Sequence, residues 1–170
     1  AQTGHLLLST LHTNSAIAAL PRLLDLEIDP SLISSSLIGV MSQRLVRRLC
    51  ASCKEPCAPL PDLVREFFGD VDPPITLYRG AGCEACAHTG SRGRMLVVDV
   101  WAPDELDLML ITRQAPWDEI RTSAQRTTVS MAEDAYGRLV AGQTTLDELS
   151  RMLPYSAIAE HRARVMSAQQ

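Results

Sequence analysis

The sequence predicts a mixed α/β to α+β fold, interrupted by a small cysteine-bearing module and finished by a run of helices. Three observations carry that expectation. An apolar run at residues 5–10 opens the chain in the manner of a buried parallel-type strand and passes at once into helical spacing. Two C-x2-C pairs, Cys50/Cys53 and Cys83/Cys86, bracket a stretch rich in proline. Beyond Pro103, four segments with helical spacing follow one another, each with a capping residue nearby.

Taken in order, "HLLLST" over 5–10 ends in hydroxyls, so its carboxyl end would face a site. Asn14 or Ser15 can cap the next helix, "AIAALPRLLDL", in which Pro21 predicts a kink or a break. Asp29 and Pro30 open a second helix, with Pro30 suited to a first turn and apolar positions at Leu32, Ile33, Leu37, Ile38 and Met41. Alternation then favours a strand over 43–49, "QRLVRRL". Between the cysteine pairs, Pro56, Pro59, Pro61, Pro73 and Pro74 isolate one expected helix over 62–68 and a short strand, "ITLY", near Tyr78. The β-branched run "RMLVVDVW" reads as a strand that Pro103 ends. "DELDLMLI", "WDEIRTSA", "SMAEDAYGRLVAG" and "TLDELSRML" read as helices, with Gly142 placed to stop the third. Residues 156–170 extend as a further helix or fray.

Composition narrows the class. The chain has 170 residues, 46% hydrophobic and 21% charged, enough for one ordinary core or a core with a satellite. A formal net charge of −4 argues against wholesale nucleic-acid binding, and fifteen of the sixteen basic residues are arginine, Lys54 being the lone lysine. No apolar run approaches a membrane span, and no secretory leader pattern opens the chain, so a cytoplasmic location is expected. The start at Ala1, directly before an apolar strand pattern, reads as a cut inside a larger protein.

The cysteines suit a metal. A tetrahedral zinc ion takes four thiolates, and two C-x2-C turns supply them across a loop of any length. Here the loop is the twenty-nine residues 54–82. The competing reading is scattered free thiols packed as small hydrophobes. Cys57 reads as a bystander and His88 as a surface histidine, although either could ligate, and an all-thiolate site can also hold iron. "CEACAHTG" approximates the glycine-bearing repeat of the Hsp40-type chaperone zinc domain, but in a single imperfect copy.

At the amino end, Ser9, Thr10, His12, Thr13 and Asn14 gather hydrogen-bonding side chains at a strand's carboxyl end, where α/β sheets bind ligands. On spacing alone, Thr13, Asn14 and Ser15 serve as caps and His12 packs or is solvated; the functional alternative is a histidine that donates to a phosphate.

Taken together, "AQTGHLLLSTLHTNSA", "LLDLEIDPSLISSSLIGVMSQRLVRRLCASCK", "GCEACAHTGSRGR" and "GQTTLDELSRML" resemble the assembly ATPases of type II secretion and type IV pilus systems, over roughly residues 1–153. The resemblance implies that His12 belongs to a histidine box near the nucleotide's terminal phosphate, with Thr10, Thr13 and Asn14 shaping its surroundings. It implies that Cys50, Cys53, Cys83 and Cys86 hold Zn in a small subdomain, a feature of the secretion or extension branch. Arg44, Arg47 and Arg48 read equally as contacts to nucleotide or a neighbouring subunit and as a solvated basic edge. The chain departs from the family pattern at Ser15, Leu96, Asp99 and Ala135, where aspartate, glycine, glutamate and glycine are usual.

On this resemblance, residues 1–48 are the carboxy-terminal part of a RecA-like P-loop ATPase core, 49–93 a four-cysteine zinc subdomain, 94–155 a strand with a helical subdomain, and 156–170 a tail. The full protein is expected to be a homo-hexamer that binds ATP and Mg and works on an inner-membrane platform with cytoplasmic components of the machine, peripheral to the membrane. A P-loop needs a glycine-rich turn ending in Lys and then Ser or Thr. Lys54 sits between Cys53 and Glu55, so this chain has no P-loop and is expected to be inactive alone. The alternative is a non-enzymatic zinc module that contacts protein or nucleic acid through "QRLVRRL" and "GSRGR".

Overall fold

Alternation of side chains along two long strands places Val46 and Val97, both fully buried, at the centre of one apolar cluster. The computed structural model describes residues 4–58, 64–65, 75–155, 157–159 and 163. Its elements are α1 (Ala19–Asp25), α2 (Pro30–Ser36), β1 (Val40–Leu49), β2 (Lys54–Cys57), β3 (Leu77–Gly80), a 3-10 turn (Glu84–Cys86), β4 (Ser91–Trp101), α3 (Glu105–Thr112), α4 (Trp117–Thr127), β5 (Thr128–Val129), α5 (Met131–Val140) and α6 (Leu146–Met152). Strands β1, β4 and β5 form one sheet in that order, and β2 pairs with β3 in another. The chain divides into two compact units, residues 1–42 with 99–129 and residues 43–98 with 130–170.

In the first unit, Ala16, Leu20, Ile33, Trp101, Leu110, Ile111, Ile120 and Ala124 form the core. Pro30 occupies the first turn of α2, where its missing N–H costs nothing, and the Asp29 carboxylate accepts the Ser31 amide at 2.8 Å. A capping box joins Asp104 and Asp107 at the start of α3. The Asp107 carboxylate is fully buried and accepts from the Trp101 indole (3.1 Å), the Thr127 hydroxyl (2.6 Å), the Ser123 hydroxyl and the Asp104 amide (3.3 Å). Burial opposes its ionisation, but those bonds overcome the penalty and hold the carboxyl below its usual range. Antiparallel pairing of Val100 with Val129 and of Trp101 with Thr128 joins β4 to β5.

In the second unit, Val46, Val64, Leu77, Val97, Met131, Ala135, Leu139, Leu146, Leu149, Leu153 and Ile158 belong to one buried apolar core. Ser130 and Glu133 form a capping box at the start of α5, and Thr145 caps α6. The α5 helix ends at Val140; Gly142 follows in the left-handed region with φ +61°, where a Cβ would lie 2.5 Å from the Tyr78 ring.

Several expectations are corrected. Residues 5–13 form no strand: none of them is in a β-ladder among the described residues, and Leu6, Leu7 and Leu8 are 67–87% exposed. A doubly buried strand exists only by laddering between neighbours. Neither Asn14 nor Ser15 caps α1, whose N-cap is Ala18 with no side-chain bond, because the helix begins later, at Ala19. Pro21 therefore falls in the first turn, where proline neither removes an intrahelical bond nor kinks the helix. The α2 helix stops at Ser36 rather than reaching Met41. Its Ser34 and Ser35 hydroxyls bond back to the carbonyls of Ser31 and Leu32, and the backbone turns extended at Leu37 ahead of Gly39 and Val40. Strands β1 and β4 both begin three residues before their sequence-predicted starts. The helix expected over 62–68 lies outside the described residues except at Val64 and Arg65, which are helical. In the tail, Ala157–Ala159 and Ala163 are helical.

Candidate functional site

Two tight turns carry the thiols. The first closes with the Cys53 amide donating to the Cys50 carbonyl at 3.3 Å, between the end of β1 and the start of β2. The second is the 3-10 turn after Cys83, closed by the Cys86 amide on the Cys83 carbonyl at 3.1 Å and the His88 amide on the same oxygen at 2.9 Å. The two turns are fastened together through the backbone. The Cys50 amide donates to Gly90 O at 3.0 Å, and the Ala81 amide to Cys53 O at 3.0 Å.

Their approach leaves no room for side chains. A Cβ on Gly80 would lie 2.1 Å from the Gly90 carbonyl oxygen, and Gly90 itself has φ +73° with the Gly80 carbonyl 2.6 Å from its Cβ position. These glycines are functional positions that spacing did not single out; only their place beside the second cysteine pair hinted at them. The β2–β3 ladder, which pairs Lys54 with Gly80 and Cys57 with Leu77, extends the same attachment.

The four sulfurs of Cys50, Cys53, Cys83 and Cys86 all lie within 4.8 Å of one another and could hold a metal ion. The separations are 3.9 Å for Cys50 to Cys83, 3.8 Å for Cys53 to Cys86 and 3.8 Å for Cys83 to Cys86. Four sulfurs tetrahedral about zinc, at about 2.3 Å from it, stand about 3.8 Å apart. A disulfide would need a separation of about 2.05 Å, and all five cysteines are free. The donor set and its spacing fit zinc. The amides of Cys83 and Gly90 both point at Cys86 Sγ, each at 3.3 Å. The Cys83 amide, with help from Gly90, pulls the Cys86 thiol down to about 6, while desolvation pushes Cys53 up to about 12. Cys57 lies away from this group and packs against the apolar cluster of its unit, and the His88 side chain is exposed.

Strand β1 is held beside the metal site by α6 and the loop before it. The Leu49 amide donates to Gln143 O at 2.8 Å, the Thr144 hydroxyl to Arg47 O at 2.9 Å, and Glu148 accepts from both the backbone and the guanidinium of Arg47. Arg47 is therefore engaged within its own unit. Arg44 is half-buried and Arg48 exposed on β1; neither forms an ion pair among the described residues. Lys54 stacks over the Tyr78 ring, 4.5 Å from its centroid.

Thr10, His12, Thr13 and Asn14 lie in the first unit, on one stretch without regular structure. Thr10, His12 and Asn14 are exposed and Thr13 is half-buried. Arg44 belongs to the second unit. No helix among the described residues is long and apolar enough to cross a membrane.

A mixed α/β chain with a four-thiol cluster is thus the class that fold and site define. Residues 1–151 match the model of the family described as "Type II/IV secretion system protein", and the chain belongs to that family. It is 41% identical over 150 residues to the type II secretion system ATPase E of Vibrio cholerae and 42% identical over 152 residues to the type II secretion system protein E of Pseudomonas aeruginosa. Each match covers 88% of this chain and 30% of the relative. It is also 39% identical over 153 residues to the type IV pilus assembly ATPase PilB of Thermus thermophilus, covering 88% of this chain and 17% of that protein. The chain spans less than a third of the length of these curated relatives.

Proposed function

We propose that this chain is the carboxy-terminal part of a hexameric ATPase that powers type II protein secretion or type IV pilus assembly. The observation that supports it most is the coincidence of a zinc-sized thiol cluster with about 40% identity to proteins named as secretion and pilus ATPases. On this reading, residues 1–48 complete a RecA-like core, 49–93 form the zinc subdomain, 94–155 the strand and helical subdomain, and 156–170 the tail. Cys50, Cys53, Cys83 and Cys86 hold Zn. When bound, the ion supplies structural cross-linking rather than reaction chemistry, since four protein ligands leave it no open position.

His12 is the residue we assign to the nucleotide's terminal phosphate, with Thr10, Thr13 and Asn14 around it and Arg44 as a further contact. ATP and Mg belong to the full protein, whose P-loop is absent from this chain. Its partners are an inner-membrane platform and cytoplasmic parts of the machine, and it works in the cytoplasm against that membrane. The test is ATP turnover by the full-length protein, its His12→Ala variant and the isolated chain. Turnover in the first, lost about a hundredfold in the second and absent in the third, supports the reading; turnover by the isolated chain overturns it.

A second reading, a non-enzymatic zinc module, has in its favour that Arg44, Arg48, Arg92 and Arg94 form no ion pair among the described residues. DNA or RNA binding that falls steeply with salt, together with no P-loop upstream, would select it.

A further inference from the structure

We propose that Asp99 is a positioning residue for the histidine-bearing segment, setting the turn from which residues 5–13 emerge. Asp99 lies on β4 and is buried, 7% exposed, and its Oδ2 accepts the backbone amide of Ala16 at 2.8 Å across 83 residues of sequence. Ala16 is fully buried. The turn it begins is closed by the Ala19 amide on Ala16 O and the Leu20 amide on Ile17 O, both at 3.1 Å.

The α1 helix that follows takes no cap from its own side chains, since its N-cap is Ala18. The Asp99 carboxylate, delivered from a strand far along the chain, holds instead the turn that leads into the helix, at an amide two residues before the N-cap. The segment before the turn is in no β-ladder among the described residues. Among the described residues the Ala16 peptide plane is the first after His12 whose amide is hydrogen-bonded, only four residues away. Chain of that length transmits a rotation of the plane into displacement of the imidazole, and displacements of about 1 Å can cost a catalytic group on the order of a hundredfold.

This inference rests on His12 acting at the nucleotide, as proposed above. The experiment uses the full-length, zinc-loaded protein with Asp99→Ala and Asp99→Asn, and reads amide hydrogen exchange at Ala16 alongside kcat and KM for ATP. Asp99→Ala is expected to speed Ala16 exchange about tenfold or more, the size of a lost charge-assisted bond. It is expected to lower kcat about tenfold while KM stays within about twofold. Asp99→Asn keeps a carbonyl acceptor and falls between the wild type and the alanine variant in both readouts; it carries the test alone where the alanine variant does not fold. Unchanged Ala16 exchange, or an unchanged kcat in folded variants of an active parent, overturns the inference while leaving the ATPase reading standing. Absence of turnover in the wild type overturns that reading, and the positioning role with it.

Discussion

Glu148 on α6 reaches Arg47 on β1 with both carboxylate oxygens, accepting the backbone amide at 2.9 Å and the guanidinium Nε at 2.7 Å. The carboxylate is 10% exposed and the guanidinium side chain 54%, so the bond to the backbone amide outweighs the screened ion pair. Burial works against ionisation of Glu148, but the Arg47 amide and charge prevail and hold the carboxyl below its ordinary value of 4.5. The contact fastens β1 three residues before Cys50, and so joins the helical end of its unit to the metal site.

Glu148→Ala is expected to destabilise the zinc-loaded protein by about 2 kcal/mol and Glu148→Gln by about 1 kcal/mol, because the amide oxygen of Gln still accepts from Arg47. Urea denaturation measures both. Since the folded carboxyl titrates below its unfolded value, its contribution is complete above about pH 5 and is lost as pH falls through the folded value. The difference between wild type and Glu148→Ala should therefore shrink on acidification. A difference that grows below pH 4 contradicts the assignment.

Gly80→Ala tests the close approach of the two knuckles. Its Cβ would lie 2.1 Å from a backbone oxygen of Gly90, and backbone cannot swing aside as a flexible side chain can. The expected cost is about 2 kcal/mol or more, with faster metal loss to a chelator because the Gly90 carbonyl is the acceptor that holds Cys50. Ala at Gly137, where a Cβ meets nothing within 4 Å, serves as the control and should be neutral or slightly stabilising.

What the sequence revealed of this molecule was whatever depends on local chemistry. The Asp29–Pro30 helix start, the helices after Pro103 and the Ser130 and Thr145 caps are written in neighbouring residues, and so is the C-x2-C spacing. Partners distant in sequence were invisible. Nothing near Asp99 announces Ala16, and nothing near Glu148 announces Arg47. The strand expected over 5–10 shows the same limit from the other side: "HLLLST" has the composition of a buried strand, but composition cannot provide the neighbours that make one. Pro21 failed as a kink for a geometric reason, since its effect depends on a helix start three residues later than the available caps suggested.

Metal content is the third expectation. The wild type purified without added metal should carry one zinc per chain by elemental analysis, and Cys83→Ser should lose it, because three thiolates and a hydroxyl bind zinc far more weakly. Cys57→Ser and His88→Ala should retain the metal in full, as neither residue belongs to the four-sulfur group. Iron in place of zinc would preserve the cluster and change the ion. Metal-free wild type, or loss of metal from Cys57→Ser, would show that the four thiols are not the ligand set.

Asp107 provides the last test, in the other unit. Four donors converge on a carboxylate with no exposure, and one of them is the indole N–H of Trp101, itself fully buried. Asp107→Ala strands that N–H and the Asp104 amide in the interior, for an expected cost of about 3 kcal/mol. Asp107→Asn loses less, since its carbonyl still accepts, but its NH2 faces groups that are themselves donors. The hydrogen bonds hold the Asp107 carboxyl below its ordinary 3.8, so its contribution is present at neutral pH and disappears only as pH falls through that lowered value. Trp101 emission, read in a Trp117→Phe background to remove the half-exposed second indole, should stay constant from neutral pH down to about 4 and shift to longer wavelength below it. In Asp107→Asn, which has no carboxyl to titrate, that acid step should be absent from the Trp101 signal; its persistence would assign the step to another group.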